Sequence, residues 1–472
     1  MLDLLIINGT IITVDEDNRV IQNGYIGVKD GLIAELGSME DLGTKPEAAS
    51  VMDMAGHAVL PGLVDAHGHG GHCLLKTLGE HFDDEWNEMA VQAYYCCTDT
   101  DFWYNEGALA AAERIKFGTT TAVSMIGSDP KIDSVAAVDA NLAASSAVGI
   151  RQFSGIGFPD GPWPKKAVQY DENDMPVEVT VDQQDALENI EECLKTLNGK
   201  YPNATCIVAP GRMGRRSQVS EEETIWQNKE MARLAEQYDV PLHTHAYGGD
   251  VKFMYETSPE ALSPRISLTH STGYSDEELD ILKETGAWVL HGPTTYSNAM
   301  WHCRVMDMLE QGINFAIVTD GTAPDRSYDL WRDMKNIQVV QRYAHQNYGL
   351  LPCGTVLRLA TIEPARALGI DHLVGSLEIG KKADIITVNV RQPHLAPFGI
   401  MPIQRLVSHA MGQDVDNVIV EGEVVMENRR LTRVNEEEIL QKAAESFELM
   451  MKRLNRPEFL ENPNLYGLNQ YV

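Results

Sequence analysis

Apolar and polar residues alternate along short segments at the two ends of the chain. This alternation is typical of strands that bury one face, and Asn8-Gly9 and Asp30-Gly31 are hairpin-turn signals. The strands predicted from the pattern cover residues 4–7, 10–14, 24–28, 32–36, 385–388, 415–420 and 424–426. We expect residues 1–57 and 376–432 to build one antiparallel β-sandwich together.

The middle of the chain alternates short apolar segments with longer amphipathic ones. Helical periodicity is clear over residues 106–116, 222–238 and 276–285. The predicted strands between the helical segments are 58–64, 119–124, 149–154, 204–208, 240–242, 266–268, 287–290 and 315–318. Eight successive strand–helix units favour an α/β fold, a closed (β/α)₈ barrel of the TIM type over residues 58–375.

The last part of the chain, residues 433–472, is predicted to be a helix followed by a tail. The helix covers residues 435–454 and has acidic residues in its first turn, where their negative charge interacts favourably with the positive end of the helix dipole. We expect the tail, with Tyr466 and Tyr471, to pack on the barrel or on another protomer, and the protein to form a homo-oligomer.

The amino-acid composition limits which binding partners and which cellular compartment are expected for the protein. Of the 472 residues, 43% are hydrophobic and 23% charged, as in ordinary globular proteins. The net charge of −31 would repel nucleic acid and anionic membranes, so neither is expected as a partner. No apolar stretch is long enough to span a bilayer, and no signal peptide is recognisable. Seven scattered cysteines without a Cys-x-x-Cys pair argue against a disulfide framework and against a thiolate zinc site, and a reducing cytoplasm is expected. The expected partner is a small-molecule substrate.

Histidines and one aspartate stand at the ends of the predicted barrel strands. Side chains one residue apart on an extended backbone leave the same face, so His67 and His69 can converge on one metal ion. Later strands are followed, in chain order, by His243 and His245, His270, His291 and Asp320. Reactive groups of a (β/α)₈ barrel lie at the C-terminal ends of its strands, and we expect these side chains to meet there.

The chain resembles the amidohydrolase superfamily, in particular its cytosine deaminase-like branch with the s-triazine hydrolases, of which atrazine chlorohydrolase is one. The motifs that carry the resemblance are Pro-Gly-Leu-Val-Asp-Ala-His-Gly-His at 61–69, Thr-Asp-Gly at 319–321, Thr-Ile-Glu-Pro-Ala-Arg-Ala-Leu-Gly at 361–369 and Gly-Ser-Leu-Glu-Ile-Gly-Lys-Lys-Ala-Asp at 375–384. The resemblance implies one divalent metal, held by His67, His69, the strand-5 histidine and Asp320. Zinc is the first choice, with iron, cobalt or manganese as alternatives.

The family writes its strand-5 motif as His-x-His-x-x-Glu with the second histidine on the metal, which assigns His245. His243 would then lie deeper, or behind the same rim as a supporting group. A metal with an open position lowers the pKa of its water to about 7. Asp320 would take the water proton and pass it to the leaving group, while His270 would polarise the bond under attack.

Two positions depart from the family. Binuclear relatives carry a lysine at the end of strand 4, where this chain has Arg212, which stays protonated, so a single metal is favoured. Arg212 either binds a substrate carbonyl or carboxylate or is a solvated loop charge. The family glutamate that protonates a ring nitrogen is replaced by Gly248, which handicaps attack on an aromatic C=N bond. Asp250 and Glu256 are candidates to replace it.

Further substrate contacts are expected from loops at the same end of the barrel. The segment 79–86 resembles the substrate-covering segment of the family, and the same loop holds His72 and His81. Trp86 either forms an apolar floor for a ring or alkyl group or packs on its own helix. Asn298 and His291 are predicted supporting contacts, and a packing role at the barrel rim is the alternative for His291.

The sequence therefore predicts a metal-dependent hydrolase of a non-peptide C–N or related C–S or C–O carbonyl bond. Because of Gly248, a urea, carbamate, thiocarbamate or amide is the expected substrate. The alternative is a deaminase or dechlorinase of a nitrogen heterocycle, such as a triazine, pterin or purine. A catalytically inactive scaffold is a third reading, disfavoured by the full set of metal ligands.

Overall fold

The strands and helices of the chain form two connected parts, a sheet built from both ends of the chain and a barrel built from its middle. The structure is a computed structural model and describes residues 1–78, 84–171 and 173–457. Its strands are β1 (Leu2–Ile12), β2 (Val20–Lys29), β3 (Leu32–Ser38), β4 (Ala48–Asp53), β5 (His57–Pro61), β6 (Leu63–Asp65), β7 (His69–Gly70), β8 (Thr119–Ile126), β9 (Arg151–Ile156), β10 (Lys165–Tyr170), β11 (Pro176–Val181), β12 (Ala204–Val208), β13 (Leu242–Tyr247), β14 (Ile266–Thr272), β15 (Trp288–His291), β16 (Phe315–Ile317), β17 (Ile385–Asn389), β18 (Val415–Val420), β19 (Glu423–Glu427) and β20 (Arg430–Leu431).

Strands from both ends of the chain form one continuous sheet, in the order β20-β19-β18-β17-β5-β1-β2-β3, with β4 beside β1. Leu4, Ile26, Ile385 and Ile419 share one buried core, which confirms the predicted joint domain of the two termini. The sheet is mixed, because β1 pairs in parallel with both β4 and β5. These parallel pairs were not predicted, since alternation along a strand says nothing about the direction of its neighbour.

Eight parallel strands form the barrel, in the order β6-β8-β9-β12-β13-β14-β15-β16. The first and last strands meet where the Thr319 amide (3.0 Å) and hydroxyl (2.5 Å) donate hydrogen bonds to the buried carboxylate of Asp65. Gly68 also forms a parallel bridge with Asp320. The predicted (β/α)₈ architecture is confirmed, and this closure brings His67 and His69 beside Asp320.

The strand predicted at 58–64 is two strands with different partners. β5 pairs with β17 in the terminal sheet, and β6 pairs with β8 in the barrel. The chain passes from one sheet to the other at Gly62, where a Cβ would lie 2.0 Å from Thr120 Oγ1. A side chain at this position would therefore force Thr120 or the connection between the two sheets to shift.

The strands that carry the later histidines run further than predicted. β13 begins at Leu242, after Pro241, and includes both His243 and His245. His270 lies inside β14, and His291 is the last residue of β15. The histidines are thus part of the barrel strands, which holds them more rigidly than loops would.

The helices surround the barrel. They are α1 (Asp84–Cys96), α2 (Thr100–Lys116), α3 (Ala136–Val148), α4 (Gln183–Leu197), α5 (Glu221–Gln237), α6 (Asp250–Thr257), α7 (Asp276–Thr285), α8 (Pro293–Asn298), α9 (Val305–Gln311), α10 (Leu330–Ala344), α11 (Cys353–Leu359), α12 (Ile362–Ala367), α13 (Pro402–His409) and α14 (Glu436–Leu454). The predicted C-terminal helix, α14, packs on α2. An unpredicted hairpin, β10–β11, is inserted after β9.

Some predicted features lie outside the described residues. These are most of the substrate-covering segment (79–83, with His81) and the tail with Tyr466 and Tyr471. Within the described part of the chain, no helix has both the length and the apolar character needed to cross a membrane.

Candidate metal centre and active site

Five of the predicted site residues come together at the C-terminal ends of the barrel strands. Ligand atoms of His67, His69 and His245 all lie within 4.8 Å of one another, and so do those of His67, His270 and Asp320. His67 Nε2 and His69 Nε2 are each 3.2 Å from Asp320 Oδ1. Three imidazoles and one carboxylate at such distances form a donor set suited to a divalent transition metal.

The ring nitrogens that point away from this cluster are held from behind. His69 Nδ1 donates a 2.9 Å hydrogen bond to the Gly127 carbonyl, which turns its Nε2 towards the cluster. His67 Nδ1 lies 2.8 Å from His243 Nε2, and His243 Nδ1 lies 2.7 Å from Ser267 Oγ. His243 is fully buried and contacts His67, so it occupies the supporting position considered above rather than a position on the cavity wall.

A metal fits the cluster because part of the donor set lacks another partner. Among the described residues, His245 Nε2 is buried without a hydrogen-bond partner, and the same is true of His270 Nδ1. The two rings stack with centroids 4.5 Å apart. An unpaired buried nitrogen costs free energy, which a bound cation would recover for His245.

The ionisation states also suit a metal. Burial lowers the pKa of His67 to about 4 and lowers the pKa values of His243, His245 and His270 well below the usual value, so these imidazoles stay neutral at pH 7. Burial raises the pKa of Asp320, but the charge of Arg326 and the hydrogen bonds from the imidazoles outweigh it and leave this pKa well below its usual value. Neutral imidazole and ionised carboxylate are the forms that ligate metals.

His270 and Asp320 have strained backbones. Their φ angles are +74° and +72°, in the left-handed region that side chains other than glycine rarely adopt. Strain of this kind persists where the surrounding structure enforces it, and it is frequent at functional sites.

Arg326 was not predicted, and it contacts the centre directly. Its Nη1 donates hydrogen bonds to Asp320 Oδ2 (2.8 Å) and to Thr295 Oγ1 (3.1 Å). Asp320 therefore directs one oxygen to the imidazoles and the other to a guanidinium. Sequence spacing gives no signal for this pair, because the five residues that join them have no periodic structure.

Arg212 and Asp250 pair with each other. Arg212 Nε and Nη2 each donate a 2.8 Å hydrogen bond to the Asp250 carboxylate, which also accepts one from the Tyr247 amide. Asp250 is thus engaged and does not extend into the position of the family glutamate. Glu256 lies on α6 and pairs with Lys252 on the surface.

Gly248 occupies a position that leaves no room for a side chain. A Cβ at this residue would lie 2.3 Å from the Gly273 carbonyl oxygen. A glutamate at this position would therefore require the backbone at Gly248 or Gly273 to shift.

A cavity of about 1230 Å³ opens over the cluster. Of the predicted residues, Trp86, His69, His245, His270, Asn298 and Asp320 line it. Within the described part of the chain Trp86 Nε1 is buried and has no hydrogen-bond partner, and Asn298 Nδ2 donates to Asp325. Arg212, His243 and His291 are not among the described residues that line this cavity; His291 Nδ1 lies 3.3 Å from the His270 carbonyl, behind that histidine.

The cavity wall also contains residues that the sequence did not single out as a site. His72 stacks on His69 with ring centroids 4.7 Å apart, and its Nε2 lies 2.9 Å from Ser128 Oγ. Tyr247, Tyr296 and Trp301 line the same cavity. The proximity of Tyr247 to His245 and of Tyr296 and Trp301 to Asn298 in the chain was the available signal.

Comparison with known proteins identifies the family of this chain. The sequence pattern of the amidohydrolase family matches residues 58–425. A 5-methylthioadenosine/S-adenosylhomocysteine deaminase of Syntrophobacter fumaroxidans is 29% identical over 454 residues, 93% of this chain and 96% of that protein. A protein of the same name from Pyrococcus furiosus is 30% identical over 455 residues, 93% of this chain and 99% of its own.

Solved structures share the fold. A zinc-bound adenosine deaminase from Xanthomonas campestris superposes with a TM-score of 0.79 at 21% identity, over 96% of this chain and 99% of that one. Atrazine chlorohydrolase TrzN from Arthrobacter aurescens TC1, complexed with zinc, gives a TM-score of 0.76 at 20% identity, over 94% and 100%. The family pattern covers most of the chain, so this protein belongs to the amidohydrolase family and is a hydrolase acting on carbon–nitrogen bonds.

Proposed function

We propose that the protein uses one divalent metal, zinc in the first instance, to hydrolyse a C–N bond of a small molecule. His67, His69, His245 and Asp320 would hold the metal. Two observations carry this proposal: a ring nitrogen of the buried His245 lies within 4.8 Å of ligand atoms of His67 and His69, and His245 Nε2 has no hydrogen-bond partner among the described residues. When bound, the metal supplies Lewis-acid chemistry that makes water a nucleophile at neutral pH.

Asp320 is the proposed proton carrier. Its carboxylate is ionised and lies at the cavity wall, so it can accept a proton from the attacking water and pass it to the leaving nitrogen. Arg326 holds Oδ2 of this carboxylate in a fixed orientation. His270, neutral and on the same wall, is the proposed contact to the substrate atom that gains charge.

We propose deamination of an amino-substituted nitrogen heterocycle as the first candidate reaction. Relatives that align over more than nine-tenths of both chains are named as deaminases of adenosine derivatives. This support favours the heterocycle alternative over the carbonyl substrates that the sequence favoured. The product would be ammonia, and the ring carbon would gain an oxygen.

Cleavage at a carbonyl, as in a urea, carbamate, thiocarbamate or amide, is the second candidate. It is favoured by Gly248, where backbone atoms exclude the ring-protonating glutamate of the family. A carbonyl polarised by a metal and by His270 needs no such acid, and the leaving group can take its proton from Asp320.

The test is product analysis with zinc-loaded protein. Adenosine, 5′-methylthioadenosine and melamine would be compared with a urea, a carbamate, a thiocarbamate and an amide, by mass spectrometry and an ammonia assay. Ammonia from the first group supports deamination, and amine or thiol from the second supports carbonyl cleavage. Asp320→Asn should abolish either activity, whereas the exposed His409→Ala should leave it unchanged. Hydrolysis of none of these compounds would contradict the proposal in both forms.

A further inference from the structure

A continuous series of aromatic rings leads from the candidate metal centre to the cavity mouth. The His270 ring contacts Tyr247, with centroids 5.2 Å apart, and Tyr296, with centroids 5.0 Å apart. Both tyrosines in turn contact Trp301, at 5.8 Å and 6.0 Å. We call Tyr247, Tyr296 and Trp301 the aromatic wall.

The aromatic wall is buried at one end and exposed to solvent at the other. Tyr296 is only 2% exposed, whereas Trp301 is 53% exposed although its indole is one of the largest apolar groups in the chain. Both line the cavity that contains His245, His270 and Asp320. The exposed indole of Trp301 is therefore available to a molecule that occupies the cavity.

We infer that the aromatic wall binds a flat, unsaturated ring of the substrate by stacking, beside the bond that is cleaved. This inference deepens the proposed function and rests on it. It specifies a substrate with a planar ring in either candidate reaction, whether the ring itself is attacked or is attached to a carbonyl.

The arrangement of the rings favours a flat ring over a cation. Cation sites of the aromatic-cage kind need several ring faces directed at one point. Here Tyr296 and Trp301 are stacked with planes 28° apart, so these two rings turn faces to each other rather than to a common point, and Tyr247 meets Trp301 edge to face at 84°.

The experiment measures binding without turnover. Equilibrium dialysis of the zinc-loaded protein would use inosine, benzimidazole and benzyl alcohol as flat-ring probes, none of which carries an amine or acyl group to release. Cyclohexylmethanol is the saturated counterpart of benzyl alcohol. We expect the flat probes to bind and to bind more tightly than cyclohexylmethanol.

Substitutions separate stacking from general apolar contact. Trp301→Leu should weaken flat-ring binding by about tenfold, since one base–aromatic stack has about that effect. Trp301→Phe should stay close to wild type, and neither variant should change binding of cyclohexylmethanol. Tyr343→Leu, at a 79% exposed position on α10 that is not part of the cavity lining, is the matched control and should have no effect.

Two results would overturn the inference: binding of none of the three flat probes, or unchanged binding in Trp301→Leu. Both differ from failure of the proposed function. If the flat probes bind but no compound is hydrolysed, the inference about the aromatic wall holds and the proposed function is wrong. If ring-free substrates are hydrolysed but the flat probes do not bind, the proposed function holds and the inference about the aromatic wall is wrong.

Discussion

Arg326 Nη1 donates a 2.8 Å hydrogen bond to Asp320 Oδ2, while Oδ1 of the same carboxylate lies 3.2 Å from His67 Nε2 and from His69 Nε2. The two oxygens thus have different partners. One can bind a cation together with the imidazoles, and the other is held by a fixed charge. This division keeps Asp320 ionised inside a buried site, where a lone carboxylate would tend to take up a proton.

Asp320→Asn should abolish hydrolysis and leave the protein folded. The amide keeps the shape of the side chain but accepts no proton at working pH. Turnover, zinc content and the circular dichroism spectrum would be measured together. Asp325→Asn, at a carboxylate that is a third exposed, is the control and should retain zinc. Normal turnover of Asp320→Asn with normal zinc would contradict the role of this residue as proton carrier.

His243→Ala should weaken zinc binding by about 10–100-fold, because it removes the group that orients His67 through its Nδ1. The measurement is a competition titration with a zinc chelator. His409→Ala, at an exposed histidine, should bind zinc as the wild type does. Equal affinity in both variants would mean that barrel packing alone orients His67.

Gly248→Ala should lower the free energy of unfolding by about 1–3 kcal/mol, because its Cβ would overlap the Gly273 carbonyl. Denaturant unfolding gives the value. Gly354→Ala is the matched control: it lies in α11 with nothing within 4 Å of the added Cβ, and should be at least as stable as wild type. A Gly248→Ala protein of wild-type stability would show that this turn can yield and that a glutamate there is sterically possible.

Asp333 should make stability depend on pH. Burial raises its pKa from 3.8 to about 8, against the hydrogen bonds it accepts from Thr294. Between these pH values the folded state keeps a proton that the unfolded state has lost. The contribution of Asp333 to stability is therefore fully present below about pH 4 and is lost as pH rises towards 8.

Asp333→Asn removes that titration. Relative to wild type, the variant should gain stability as pH rises from 5 to 8, with a slope of at most about 1.4 kcal/mol per pH unit. Urea unfolding at several pH values measures the difference, and the exposed Glu310→Gln serves as control with no change in slope. A difference that is independent of pH would mean that Asp333 is ionised in the folded state.

The sequence alone determined the barrel and singled out the histidines and the aspartate that meet at the C-terminal ends of its strands. Period-two and helical patterns are local, so they identify strands and helices without knowledge of their neighbours. His67 and His69 share one face because of strand geometry, and Asp320 follows the last strand in order. Once eight strand–helix units close into a barrel, the ends of distant strands meet, whatever the loops do.

Only the tertiary structure decided the surroundings of these donors. The pairing of Arg326 with Asp320, the placement of His243 behind His67 and the aromatic wall depend on where loops run. Loop courses are set by packing between segments far apart in the chain, which no local pattern encodes. Gly248 is a further example. The sequence shows only that a glycine stands where the family has a glutamate, whereas the tertiary structure shows that the Gly273 carbonyl lies too close for a side chain at Gly248.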